Sequence, residues 1–172
     1  MTDKRRVVVT GIGAVTPLAP NAEDSWKKII NSESGIRNIS LFDTTDSACK
    51  IAGEVIFGEG KGEFNLNEYV DIKEQKKMDR FIQFAVAASD QAIRDSGWVP
   101  KSDEEKYRTG VMTGSGIGGL PMIEKTSITM KEKGIKRISP FFIPSSLIIG
   151  CFIKIPMVVR CGVFILGHVK LA

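Results

Sequence analysis

Several groups of residues in this 172-residue chain have the types and spacing that chemistry needs. Gly114, Gly116 and Gly119 spell G-x-G-x-x-G, the spacing that lets a backbone close on a pyrophosphate between a strand and a helix. A dinucleotide site also wants an acid at the end of the next strand, about 20 residues on. Residues 139–144 (SPFFIP) stand there instead, and their prolines exclude a central strand. A nucleotide-binding α/β domain is therefore one reading. The other is that these glycines permit a tight turn and let a second backbone or an acyl chain come close.

Lys73, Lys76 and Lys77 stand at i, i+3 and i+4, so a helix there places three ammonium groups on one face, and Lys136–Arg137 adds a second basic pair. Such a face is solvated surface or a steering site for an acidic partner. Nucleophilic catalysis fares worse. Cys49, Cys151 and Cys161 are odd in number and lack metal-ligand spacing, which reads as reduced thiols with no metal. His168 is the single histidine, and no base can be matched to a nucleophile. Glu104–Glu105 and the Asp43/Asp46 pair lie in polar stretches typical of a solvated face. No cofactor follows from these residues.

The elements that must position these groups alternate. Residues 5–10 (RRVVVT) read as a buried strand stopped by Gly11-Ile12-Gly13, its continuous apolar run suggesting a sheet covered on both faces. Pro20-Asn21 starts a helix with Glu23 and Asp24 in its first turn and Trp26, Ile29 and Ile30 at helical spacing, ended by Gly35. Glycines recur over 53–62, an irregular excursion. The clearest helix runs over 79–96, with Phe81, Ala85, Ala88 and Ala92 in one row, Ile82, Val86 and Ile93 in the next, and Gly97 as its C-cap. Residues 107–113 read as a second strand, and a helix from about Pro121 to Lys133 follows, closed by Gly134. The order argues for an α/β layered domain with helices on a mainly parallel sheet.

Charge divides the chain. Lys and Arg number 24 against 20 Asp and Glu, an excess too small and too spread for a nucleic-acid surface. Residues 141–172 hold Lys154, Arg160 and Lys170 and no acid, and 21 of these 32 residues are apolar, so the composition breaks near Leu147. A membrane span is the obvious reading of such a tail, but Lys154, Pro156 and Arg160 interrupt it, and a central charge costs about 2.5–3.5 kcal/mol. The N-terminus leads into a short apolar run without a cleavage site, so no signal peptide is read and the expected compartment is the cytoplasm.

Four separated stretches, in order, resemble the β-ketoacyl-[acyl-carrier-protein] synthases of the type II kind in bacterial fatty acid synthesis: residues 5–18 (RRVVVTGIGAVTPL), 73–83 (KEQKKMDRFIQ), 114–119 (GSGIGG) and 139–147 (SPFFIPSSL). The resemblance covers residues 1 to about 147, and it implies the N-terminal half of a thiolase-like layered αβαβα fold, truncated, from a family that acts as a homodimer. It also implies acyl transfer to a cysteine, decarboxylation of a malonyl carrier protein, and attack of the resulting carbanion on the thioester.

By position, Ile117 resembles the gate of the acyl pocket, and Phe142 and Ile143 resemble residues lining the partner subunit's pocket. Lys73, Lys76, Lys77, Lys136 and Arg137 resemble the positions that meet the acidic acyl carrier protein. The family places its nucleophile in an Ala-Cys-x-x-Gly segment beyond this point, and neither Cys151 nor Cys161 has that setting. The expectation is a partial synthase domain over 1–147, followed by a tail over 148–172 from a shifted reading frame, without condensing activity. A non-catalytic carrier-binding module is the alternative within the resemblance.

Overall fold

The computed structural model describes residues 7–147 and 169–171. Arg5 and Arg6 of the first motif, Cys151, Cys161, His168 and most of the apolar tail lie outside the described residues. The elements run β1 (Val7–Val9), α1 (Ala22–Ile30), β2 (Ile36–Asn38), β3 (Ile51–Gly53), α2 (Ile72–Gln75), α3 (Arg80–Ser96), α4 (Asp103–Tyr107), α5 (Leu120–Lys133), α6 (Phe142–Ser146) and β4 (Val169–Leu171). One-turn 3-10 helices lie at Leu66–Glu68 and Ile135–Arg137.

The long helices form where capping and periodicity place them. Asn21 caps α1, its side chain accepting from the Asp24 N–H, and Glu23 and Asp24 fill the first turn where the helix dipole favours acids. Asp79 caps α3, and Gly97 closes it in the left-handed conformation at φ 62°. Pro121 sits in the first turn of α5, where its missing N–H costs nothing. α1 ends at Ile30, with Asn31 as its cap, before the expected Gly35.

The strands depart from expectation. Among the described residues there is no parallel sheet: β1 pairs antiparallel with β4, Val9 opposite Val169, and β2 pairs antiparallel with β3, Ile36 opposite Gly53. β1 is not the buried strand its apolar run suggested, since Val8 and Val9 are both exposed. Residues 107–113 do not form a strand either. Ser102 and Glu105 make a reciprocal capping box that commits the chain to α4, and the Thr109 hydroxyl then donates to the Glu105 carbonyl. Only Val111 beyond it makes a bridge.

The core gathers on α3. Ile82, Val86 and Ala87 pack with Met78, Val111 and the irregular stretch that carries Phe64, Leu66 and Val70. Phe64 meets Phe57 edge-on at 5.2 Å and Phe84 at 5.7 Å, while Arg80 lies 4.8 Å over the Phe57 ring. The irregular stretch that follows Gly53 therefore feeds the core, Val55 packing against it and Phe64, Leu66 and Val70 forming part of it. The alanines of α3 take the backbone of the Gly11–Gly13 turn: a Cβ on Gly13 would sit 1.9 Å from the Ala88 carbonyl oxygen. The Ile12 and Ala14 N–H groups donate to Asp95 and Gln91 of the same helix at 2.8 and 3.1 Å. No helix among the described residues is long and apolar enough to cross a membrane.

Candidate functional site

α5, α6 and the two basic stretches enclose a cleft of about 250 Å³. One wall is a single face of α5, where Met122, Lys125, Thr126 and Thr129 recur at helical spacing. Phe141, Phe142 and Ser145 form the opposite side, with Lys76, Lys77 and Arg137 at the margins. Lys77 pairs with Glu74 and lies 5.3 Å over the Phe141 ring, which fixes one ammonium group against the apolar side. Lys76, Lys125 and Arg137 have no carboxylate at ion-pair distance among the described residues. The result is an apolar floor ringed by cations, suited to a polyanionic surface with an apolar contact at its centre.

Asp79 holds this cleft together. Its carboxylate is buried, and Oδ1 accepts from the Arg80 N–H while Oδ2 accepts from the Met122 N–H of α5 at 3.1 Å. Its own N–H donates to the Ser145 carbonyl of α6 at 3.2 Å, and the Gly119 N–H donates to the Ser146 carbonyl at 2.9 Å. One residue at the head of α3 thus sets α5 and α6 against each other. Gly119 is confined by the same knot, because a Cβ there would meet Asp79 Oδ2 at 2.6 Å and Ser146 Cα at 2.9 Å.

This geometry overturns the nucleotide reading of Gly114, Gly116 and Gly119. Pyrophosphate needs free N–H groups at the head of the helix that follows. Here Pro121 has none, Gly119 and Met122 are taken by Ser146 and Asp79, and the Asp79 carboxylate itself fills the anion position. The strand that should precede the glycines is absent as well.

The structure brings together Lys76, Lys77, Arg137 and Phe142 of the residues singled out by sequence. Lys73 and Lys136 do not line the cleft; both are exposed beside it. α2 is a single turn, so the three lysines do not form one continuous helical face. Ile117 is 74% exposed and Ile143 is 55% exposed, and neither lines the basic cleft. They stand on segments joined by the Gly119–Ser146 hydrogen bond. Sequence reasoning missed Lys125, Phe141 and Asp79. The i, i+3, i+4, i+7 row of α5 contained the signal for Lys125, whereas Asp79 and Met122 are 43 residues apart and no local pattern links them. Cys49 is exposed and free, its thiol directed to the Ile51 carbonyl at 3.3 Å.

A family profile described as "Beta-ketoacyl synthase, N-terminal domain" matches residues 4–156. The chain is 47% identical over 145 residues to the 3-oxoacyl-[acyl-carrier-protein] synthase 2 of Rhizobium meliloti (strain 1021), covering 84% of this chain and 34% of that protein. Its fold is similar to a β-ketoacyl synthase from Burkholderia phymatum STM815, with a TM-score of 0.69 at 22% identity over 92% of this chain and 38% of that one. It is also similar to a chain of the AntDE:AntF complex, described as a type II polyketide acyl-carrier protein in complex with its ketosynthase bound to the hexaketide. There the TM-score is 0.64 at 21% identity, over 94% of this chain and 42% of that one. The chain spans about a third of the length of the curated relatives it matches.

Proposed function

Because this chain belongs to the β-ketoacyl synthase family and carries the thiolase-like fold of its N-terminal part, we propose that it is the carrier-docking portion of a fatty acid condensing enzyme. The reaction of the whole enzyme joins an acyl group to malonyl-acyl-carrier protein with loss of carbon dioxide, giving 3-oxoacyl-acyl-carrier protein. In this reading Lys76, Lys77, Lys125 and Arg137 receive the acidic face of acyl carrier protein, with Lys73 and Lys136 extending the positive field around the cleft. Ile117, Phe142 and Ile143 belong to the acyl pocket of the assembled enzyme, where the exposed Ile117 and Ile143 and the half-buried Phe142 gain by contact with an alkyl chain. The cytoplasm is the compartment that suits these partners.

The observation that carries the proposal is the convergence of four cations, drawn from three separate stretches, on one cleft floored by Phe141 and Phe142. Titration of acyl carrier protein into the purified chain tests it. Binding should weaken by about tenfold between low and high salt, because exposed charges lose their reach as the Debye length shrinks. Affinity that ignores salt and survives Arg137→Glu would contradict the proposal.

We further propose that residues 148–172 derive from a shifted reading frame. The acid-free composition after Leu147 supports this. The family match itself runs on to 156. The chain alone should then give no condensation product, and the coding DNA read past the Leu147 codon in the other two frames should contain the missing segment. Elongation of acyl carrier protein by the purified chain would contradict the first expectation, and no such segment in any frame the second.

A further inference from the structure

A second cleft, of about 220 Å³, opens on another part of the molecule between the end of α1, β2 and the loop at 58–63. Lys28, Arg37 and Lys61 line it, one from each of these segments, together with a single acid, Glu63. Lys28 and Arg37 are half-buried, and their N–H groups donate to the Leu18 and Pro17 carbonyls at 2.8 and 3.0 Å. Those two bonds anchor the cations on the floor of the cleft. They leave the remaining donors of an ammonium and a five-donor guanidinium unassigned.

The acid lining the same cleft makes no ion pair with them. Glu63 Oε2 accepts from the Gly60 N–H at 2.9 Å, and a Cβ on Gly58 would lie 2.0 Å from the same oxygen. Two glycines thus let the carboxylate fold back onto its own loop. Among the described residues none of the three cations has a carboxylate within ion-pair distance, although Lys27, Lys77, Arg94 and Lys106 all do. Lys28 Nζ also reaches the loop side of the cleft, 3.9 Å from where a Cβ on Gly62 would stand. Half-buried cations that lack an acid are stabilised by an external anion, and a guanidinium beside two ammonium groups fits the oxygens of a phosphate.

We propose that this cleft is a binding site for a phosphate group, either the free anion or a small phosphomonoester, separate from the carrier-docking cleft. The test is titration of the full chain with inorganic phosphate and, in parallel, with glycerol 3-phosphate, followed by the amide shifts of Lys61 and Gly62 and the Arg37 side-chain Nε–H. Saturable shifts confined to this cleft are expected, with each of Arg37→Gln and Lys61→Gln weakening binding by about tenfold through loss of one charge-assisted contact. Lys101→Gln, at an exposed position elsewhere, should leave the affinity unchanged. Tighter binding of the ester assigns the site to phosphomonoesters, and equal or tighter binding of inorganic phosphate assigns it to the free anion. Lys61 is exposed and makes no hydrogen bond to the fold among those described, so its variant carries the test if Arg37→Gln does not fold. Shifts that never saturate, or that persist unchanged in the folded Lys61→Gln protein, overturn the proposal.

Discussion

Asp79 shows how much one buried carboxylate can organise. It caps α3, receives the Met122 N–H of α5 and sits beside the backbone bond to Ser145, so its removal frees several groups that water reaches poorly. Asp79→Ala should cost about 2 kcal/mol in urea unfolding, whereas Asp79→Asn, which keeps an acceptor, should cost less than half of that. Equal stability of both variants and the parent would remove Asp79 from this role. The same knot separates two glycines of one motif. Gly119→Ala should lose about 1–3 kcal/mol through overpacking, and Gly114→Ala, with nothing near its Cβ, should stay within about 0.5 kcal/mol. Sequence alone treated these glycines as equivalent members of a fingerprint. Their difference lies in what stands opposite, which is set by a residue far away in the chain.

Single elements were legible in proportion to how locally they are encoded. α1, α3 and α5 follow from caps and apolar periodicity that lie within each helix, and all three form close to where they were placed. Residues 107–113 misled because Val111 and its neighbours look like a strand, while the Ser102–Glu105 capping box just upstream starts a helix that runs into them. The β2–β3 pair escaped notice because its residues carry little alternation. What pins it is a side chain: Glu54 accepts from the Ser40 hydroxyl at 2.7 Å and from the Ser40 and Leu41 N–H groups. The Ser40 hydroxyl bond, followed by these backbone donors, holds the Glu54 carboxyl below the ordinary glutamate range. Stability from this clasp is complete above the ordinary carboxylate range and is lost as pH falls from there through the lower folded-state value. Glu54→Gln should therefore flatten that part of the acid-denaturation curve, read by circular dichroism against pH. An unchanged acid limb would show that the clasp contributes nothing.

At the scale of the molecule, element order pointed to the α/β class and motif resemblance to the thiolase-like fold, while the strand pairing followed from neither. A sheet is a long-range object, and β1 finds its described partner at the other end of the chain, so no local run could announce an antiparallel pair. The exposed Val8, Val9, Met112 and Ile117 belong to a chain that spans about a third of its relatives' length. The basic cleft beside α5 is a mixed case: Lys76, Lys77 and Arg137 stand in runs of Lys and Arg, while Lys125 and the meeting place on the α5 face needed three dimensions. Two basic clefts on one small molecule allow carrier binding to be located on one of them. The most direct measurement is a titration of acyl carrier protein into the isotope-labelled chain, followed residue by residue through backbone amide shifts. Lys76, Lys77, Lys125 and Arg137 should respond first and saturate together, and Arg137→Glu should abolish the response. Shifts centred instead on Lys28, Arg37 and Lys61, or none at all in low salt, would contradict carrier docking at the α5 cleft.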